Sequence, residues 1–224
     1  MPSGMIDLHS HTLLSDGVLV PSELVRRAEV KGYSVLAITD HVDVSNVTQV
    51  VGQLVQACRG LNGRTGVKVI PGCEVTHVPL DLMEEVVNGA RAAGAQLVVV
   101  HGETLAEPVI PGTNRRALEL PIDVLAHPGL ISKADAALAA KRGIALELST
   151  RKGHCWANGH VARMALAVGA ALVIDTDSHA PEDLVSRDQA EAIAQGAGLK
   201  AAEIRQLFTS ASQIVDRTSW MARG

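Results

Sequence analysis

The sequence predicts an α/β barrel, and three observations lead there. About seven short strand-like runs alternate with helix-like segments, the runs are solidly apolar, and nothing breaks the series. Strands buried on both faces of a parallel sheet read as continuous Val/Leu/Ile runs, whereas half-exposed strands alternate. No Pro/Gly/Ser-rich linker, charge block or low-complexity tract divides the 224 residues, which favours one closed barrel in a single domain over residues 1–224. An open doubly wound sheet satisfies the same alternation.

The elements follow in order. Residues 5–8 form the first run, ending at His9 and His11. Ser22 is a candidate N-cap for a helix carrying Leu24, Val25 and Ala28 at helical spacing, with Gly32 as its stop. Residues 34–38 are the next strand, closed by Thr39, Asp40 and His41, and a helix follows over 47–59. Residues 67–70 lead through Pro71, Gly72 and Cys73 to Glu74. A helix over 80–93 ends at Gly94. The β-branched run 96–100 is closed by His101, and 122–126 by His127, Pro128 and Gly129. After a helix over 132–142, the strand 144–148 is closed by Ser149, Thr150 and Arg151. Residues 158–168 are helical, 171–174 form the last strand, and Asp177 and His179 follow it. Two or more helices fill 188–216.

Composition removes several function classes. Aromatic residues are 2% against 47% hydrophobic, so the core is built from Val, Leu, Ile and Ala, and aromatic base-stacking platforms are not expected. A net charge of −4 carries no broad basic footprint for nucleic acid or an anionic membrane. The uncharged run 164–174 is shorter than the roughly 20 residues a bilayer requires. No basic segment followed by an apolar stretch opens the chain, so a cytoplasmic location is expected. Cys58, Cys73 and Cys155 are odd in number and lack a CxxC spacing, which reads as reduced structural thiols.

Histidine placement carries the functional argument. Of nine histidines, six (His9, His11, His41, His101, His127 and His179) stand just after strands, together with Asp40, Glu74 and Asp177. In an α/β barrel these positions share one face. A single histidine at a strand end is ordinarily a hydrogen-bonded structural residue. Six, with three acids on consecutive strand ends, call for cations, because packed imidazoles and carboxylates are costly unless an ion neutralises and orients them. His9 and His11, two residues apart on a strand, point the same way and can share an ion. A carboxylate such as Glu74 can bridge two. Such an assembly suits phosphoryl or acyl hydrolysis. Asp7 and Asp40 are either turn residues or groups that orient a histidine from behind.

The stretches Asp7-Leu8-His9-Ser10-His11-Thr12, Ser15-Asp16-Gly17, Thr39-Asp40-His41, Gly72-Cys73-Glu74, His101-Gly102, Ala126-His127-Pro128 and Asp175-Thr176-Asp177-Ser178-His179 resemble the ordered motifs of the PHP (polymerase and histidinol phosphatase) superfamily. The resemblance runs from Asp7 to His179. It implies a distorted (β/α)7 barrel with a trinuclear metal site at the C-terminal ends of the strands. Carried over residue by residue, His9, His11, Glu74 and Asp177 would hold one divalent ion, Glu74, His101 and His127 a second, and Asp16, His41 and His179 a third. Asp16 occupies a loop position filled in the family by Asp or His, and its alternative role is a turn residue before Gly17. Zn, Mn and Fe all suit these donors.

The same resemblance implies hydrolysis of a phosphate ester by a metal-bound hydroxide attacking phosphorus in line. Arg151 and Lys152, just past a strand end, are candidate cations for the phosphate oxygens. His154 is a candidate proton donor to the leaving group. Arg115 and Arg116 lie in the long loop 102–121, a length common in lids and specificity elements, and one of them is a candidate to reach the substrate. His77 and His160 are read as structural or surface residues. The expected partner is a small phosphorylated molecule, histidinol phosphate being the family's best-known example; nucleic acid and membrane are not expected, and no pattern encodes an oligomeric state. Two other classes stay open. One is a nuclease or nucleotide-end-processing phosphodiesterase; the other is a non-catalytic scaffold or RNA-protein subunit, in which ligands would be missing. An amidohydrolase also opens on HxH but commonly places a carboxylated Lys mid-barrel, where this chain has Glu74 and His101.

Overall fold

In a computed structural model, which describes residues 4–221, the chain alternates strands and helices throughout. The elements are β1 (Met5–Asp7), α1 (Pro21–Val30), β2 (Tyr33–Ile38), β3 (His41–Val42), α2 (Val47–Leu61), β4 (Lys68–Val75), α3 (Met83–Ala93), β5 (Leu97–His101), α4 (Thr113–Leu118), β6 (Val124–Ala126), α5 (Lys133–Arg142), β7 (Ala145–Ser149), α6 (Asn158–Val168), β8 (Leu172–Asp175), α7 (Arg187–Gly196) and α8 (Ala201–Met221). The long strands pair in parallel in the order β1-β2-β4-β5-β6-β7-β8, and the two-residue β3 pairs with β4.

The seam between β1 and β8 nearly closes this sheet into a barrel. Ser10 bridges Ser178, the His11 N–H donates to the Ser178 carbonyl (2.8 Å), and the Asp177 N–H donates to the His9 carbonyl (2.9 Å). Deeper in the seam, side chains replace the ladder. The Asp7 carboxylate accepts from the Thr176 N–H (3.1 Å) and hydroxyl, and the Asp175 carboxylate accepts from the Leu8 N–H (2.7 Å). Asp7 therefore belongs chiefly to closure, touching His9 only through its backbone N–H (3.3 Å).

The interior is filled by small and branched side chains, Ile6, Val35, Ala37, Ile70, Val99, Val124 and Val173 among them, in one cluster with Ala211, Ile214 and Val215 of α8. Helix α8 packs against β8 and β1. The outer helices bury one stripe each; α2 contributes Val47, Val50, Val51, Leu54 and Cys58 at helical spacing. No helix among the described residues is long and apolar enough to cross a membrane.

Three expectations change. Helix α1 begins at Pro21 with Val20 as N-cap and no side-chain cap, because the proline ring pre-sets the first helical φ; Ser22 lies inside the first turn. Strand β4 does not stop at Ile70 but continues to Val75. Pro71 has no N–H to donate, so the pairing with β2 ends at Ile38–Pro71 and β3 takes over opposite Glu74 and Val75. The 102–121 segment is not an unstructured loop, since it contains α4.

The loops after β5 and β6 cross at Gly129 (φ +57°), where an added Cβ would lie 1.8 Å from the Glu103 carbonyl oxygen. Backbone blocks that space, so Gly129→Ala is expected to cost on the order of 4 kcal/mol. Thermal unfolding should register this as a Tm lowered by roughly 10 °C; a Tm unchanged to within about 2 °C would show that the crossing yields.

Candidate metal centre

Parallel pairing brings the C-terminal strand ends to one rim. His9 and His11 follow β1, His41 opens β3 just after β2, Glu74 lies in β4, His101 ends β5, His127 follows β6, and Asp177 and His179 follow β8. His9, His11, Glu74, His101, His127 and Asp177 are buried, His41 and His179 are half-buried, and Asp16 is exposed. His127 (φ 26°) and Asp177 (φ 50°) hold left-handed backbone that non-glycine residues seldom adopt. Strain of this kind persists where surrounding structure over-determines it, and it concentrates at functional sites.

All nine expected metal ligands fall into compact groups: His9, His11 and Glu74; His9, His127 and Asp177; Glu74, His101 and His127; and His11, Asp16, His41 and His179. Glu74 stands at the centre. Its Oε1 is 3.4 Å from His9 Nε2 and 3.6 Å from His127 Nε2, and its Oε2 is 3.7 Å from His11 Nε2. Asp177 Oδ1 is 3.2 Å from His11 Nε2 and 3.7 Å from His9 Nε2. Asp16 Oδ1 is 3.1 Å from His179 Nε2 and 3.4 Å from His41 Nε2. Donors bound at 2.0–2.1 Å around a tetrahedral ion are about 3.3 Å apart, so these spacings leave room for an ion.

The outward ring nitrogens fix which atom faces the centre. His9 Nδ1 donates to Glu147 Oε1 (2.6 Å) and His101 Nδ1 to the Gly102 carbonyl (3.2 Å). Carboxylates and carbonyls only accept, so the proton sits on Nδ1 and the Nε2 lone pair points inward. His9 Nε2, both nitrogens of His11, His127 Nδ1 and Glu74 Oε1 are buried with no hydrogen-bond partner among the described residues. Each such orphan costs about 1–3 kcal/mol, a cost that a coordinated cation removes for the atoms facing it. The donor set therefore fits divalent metals.

The charges agree. Burial opposes protonation of His41, yet the Glu74 and Asp16 carboxylates outweigh it and raise its pKa to about 10. Burial, reinforced by His41 and His9, pushes His11 down to about 3. Burial alone would raise Glu74, but His9, His41 and His101 hold it well below the carboxylate range. Without an ion, protons on some imidazoles supply the positive charge that the carboxylates require.

Other expected residues are distributed around this centre. Arg151 Nη1 donates to the Asp177 carbonyl (2.9 Å) and touches His179 Nδ1, with its Nε 3.9 Å from Asp177 Oδ2. His154 is buried, its Nδ1 2.9 Å from the Thr104 hydroxyl and its Nε2 3.9 Å from Asp177 Oδ2. Lys152 stands exposed on the same turn. Asp40 does not orient a histidine directly: it accepts from the Thr12 N–H and hydroxyl and the Ser15 hydroxyl, and so pins the turn that carries Asp16. Arg115 pairs with Glu119 and Asp135, and Arg116 with Glu84, so both are engaged in ion pairs outside the histidine cluster.

Two acids escaped the sequence reading. Glu147 is fully buried in β7 and holds both His9 Nδ1 and the His127 N–H (2.9 Å). Glu107, in the loop before α4, meets His77, His101 and His154. A charge within the otherwise apolar run 144–148 was the available signal for Glu147; nothing local marks Glu107.

A model of the PHP domain matches residues 7–101. An uncharacterized protein of Methanocaldococcus jannaschii is 42% identical over 200 residues, spanning 88% of this chain and 92% of that protein. A 5'-3' exoribonuclease of Escherichia coli is 39% identical over 72 residues, 32% of this chain and 22% of that protein, so the shared segment is a minor part of the enzyme. Among solved structures, a chain of archaeal ribonuclease P with mature tRNA shares the fold (TM-score 0.73, 15% identity, covering 97% of this chain and 93% of that one). So does a histidinol phosphate phosphatase from Lactococcus lactis, solved with zinc, L-histidinol and phosphate (TM-score 0.62, 17% identity, 87% and 94%). The matched segment contributes His9, His11, Asp16, His41, Glu74 and His101, and the archaeal relative aligns with nearly the whole length: this chain belongs to the PHP domain family.

Proposed function

We propose that the protein hydrolyses a phosphate ester, most simply a small-molecule phosphomonoester of the histidinol phosphate type, at a centre of three divalent ions. His9, His11, Glu74 and Asp177 would hold one ion, Glu74, His101 and His127 a second, and Asp16, His41 and His179 the third. The observation that carries this reading is the convergence of inward Nε2 and carboxylate atoms 3.1–3.7 Å apart around Glu74, Asp177 and Asp16. Bound there, divalent ions supply Lewis acidity and an acidified water.

The chain's own residues do the rest. Glu147 keeps the His9 ring turned inward. Arg151, beside Asp177 at the rim, offers a guanidinium to a non-bridging phosphate oxygen, and exposed Lys152 adds positive charge at the approach. His154, steadied by Thr104, stands within 3.9 Å of Asp177 and donates a proton to the departing oxygen.

The test is ion analysis of purified protein, followed by a panel of phosphomonoesters, phosphodiesters and nucleotides with Mn, Fe or Zn. Arg151→Ala should raise KM roughly tenfold or more, the loss of one charged hydrogen bond, with ion content unchanged. An unaltered KM would remove Arg151 from the substrate site. The exoribonuclease similarity supports a second reading, a nucleotide-end-processing phosphodiesterase, which the same panel separates by preference for diester or oligonucleotide substrates. Purified protein that binds no ions and turns over none of these would favour the scaffold class.

A further inference from the structure

Beside the four groups of the metal centre lies a fifth cluster of donors, which shares His101 with them. His77 follows β4 with left-handed backbone (φ 52°), and Glu107 comes from the loop after β5. Glu107 Oε2 is 3.1 Å from His77 Nε2 and 3.1 Å from His101 Nε2, and the His77 and His101 rings are 4.9 Å apart. The other Glu107 oxygen is 3.4 Å from His154 Nε2. The two separations to Glu107 Oε2 are close to the ~3.3 Å between donors around one tetrahedral ion, and all three donor atoms lie within 4.8 Å of one another. His77 and Glu107 are each 39% exposed, whereas His101 is 3% exposed, so this cluster opens to solvent where the Glu74–His101–His127 group does not.

His101 belongs to both. Its Nδ1 is committed to the Gly102 carbonyl, which leaves one lone pair, on Nε2. One lone pair binds one ion, so the outer and inner groups cannot both be filled through it. With His101 engaged inward, His77 and Glu107 retain only two donors and hold an ion weakly.

We propose that His77, Glu107 and His101 form an outer divalent-cation site that takes an ion from solvent and passes it inward through His101 to Glu74 and His127. It rests on the metal centre proposed above and adds an entry route to it. The outer site is transient: it fills when the inner position on His101 is empty and releases its ion as that position is taken.

Loading kinetics test this. Protein stripped with a chelator is mixed with Co²⁺; stopped-flow absorbance follows uptake, and elemental analysis gives the final content. Glu107→Gln keeps the side chain's shape, and His77→Asn suits the left-handed backbone, so both variants should retain the fold, checked by Tm. Each is expected to reach wild-type ion content at least tenfold more slowly. Uptake at the wild-type rate in both variants would overturn the entry route while leaving the metal centre standing. A lower final content would also overturn it, since the outer ligands would then be resident. Wild-type protein that takes up no Co²⁺ would defeat the metal centre itself.

Discussion

Glu74→Ala is expected to abolish turnover, by at least about a thousandfold or ~4 kcal/mol of transition-state stabilisation, and to strip most of the bound metal. The size of the effect follows from position. One carboxylate oxygen faces His9 and His127 and the other faces His11, so its removal unlinks two ligand groups at once. It also removes one of the carboxylates that favour the charged forms of the buried His9 and the half-buried His41 imidazoles. Glu74→Gln separates charge from volume: the amide fills the space but can offer only one acceptor, and it should lose metal nearly as completely. Elemental analysis beside activity decides the matter. Full activity in the alanine variant would show that Glu74 bridges nothing.

Much of this centre was legible in the sequence for a physical reason. Parallel strands deliver their C-terminal ends to a common rim, so chemistry marked by residue type at strand ends can be read without knowing any distance. His9, His11, His101, His127, Asp177 and His179 were singled out that way and lie together on one rim, and the apolar runs that carry them reappear as strands. Glu74 was found for a partly wrong reason, since it lies inside β4 and not beyond its end. Where the reading ran short, tertiary contacts had replaced a local rule. The Pro71 pairing switch lengthens β4, and Asp7 and Asp175 close the seam with side chains. Of the two roles open to Asp40, the contacts are those of a turn residue, anchoring the Asp16 turn. Glu107 and His77 meet only because two loops fold over the same rim, and no periodicity records that approach.

Glu147 is the sharpest case of a residue hidden by its strand, and Glu147→Gln is expected to weaken ion affinity by roughly 10- to 100-fold. Both carboxylate oxygens are used as acceptors, Oε1 by His9 Nδ1 and Oε2 by the His127 N–H. Glutamine keeps one acceptor and turns the other into an NH₂ donor. If the carbonyl stays with His9, two N–H groups confront each other at His127, whose strained φ already depends on its surroundings. If the amide rotates, His9 loses the partner that keeps its proton on Nδ1 and its Nε2 lone pair facing Glu74 and Asp177. Either arrangement buries an unmatched donor, at about 1–3 kcal/mol, so the variant should also melt several degrees lower. Titration against a competing chelator at fixed pH measures the affinity directly. Wild-type affinity together with a lowered Tm would mean that Glu147 braces the barrel without orienting His9. Weakened affinity at a nearly unchanged Tm would assign it to the metal centre alone.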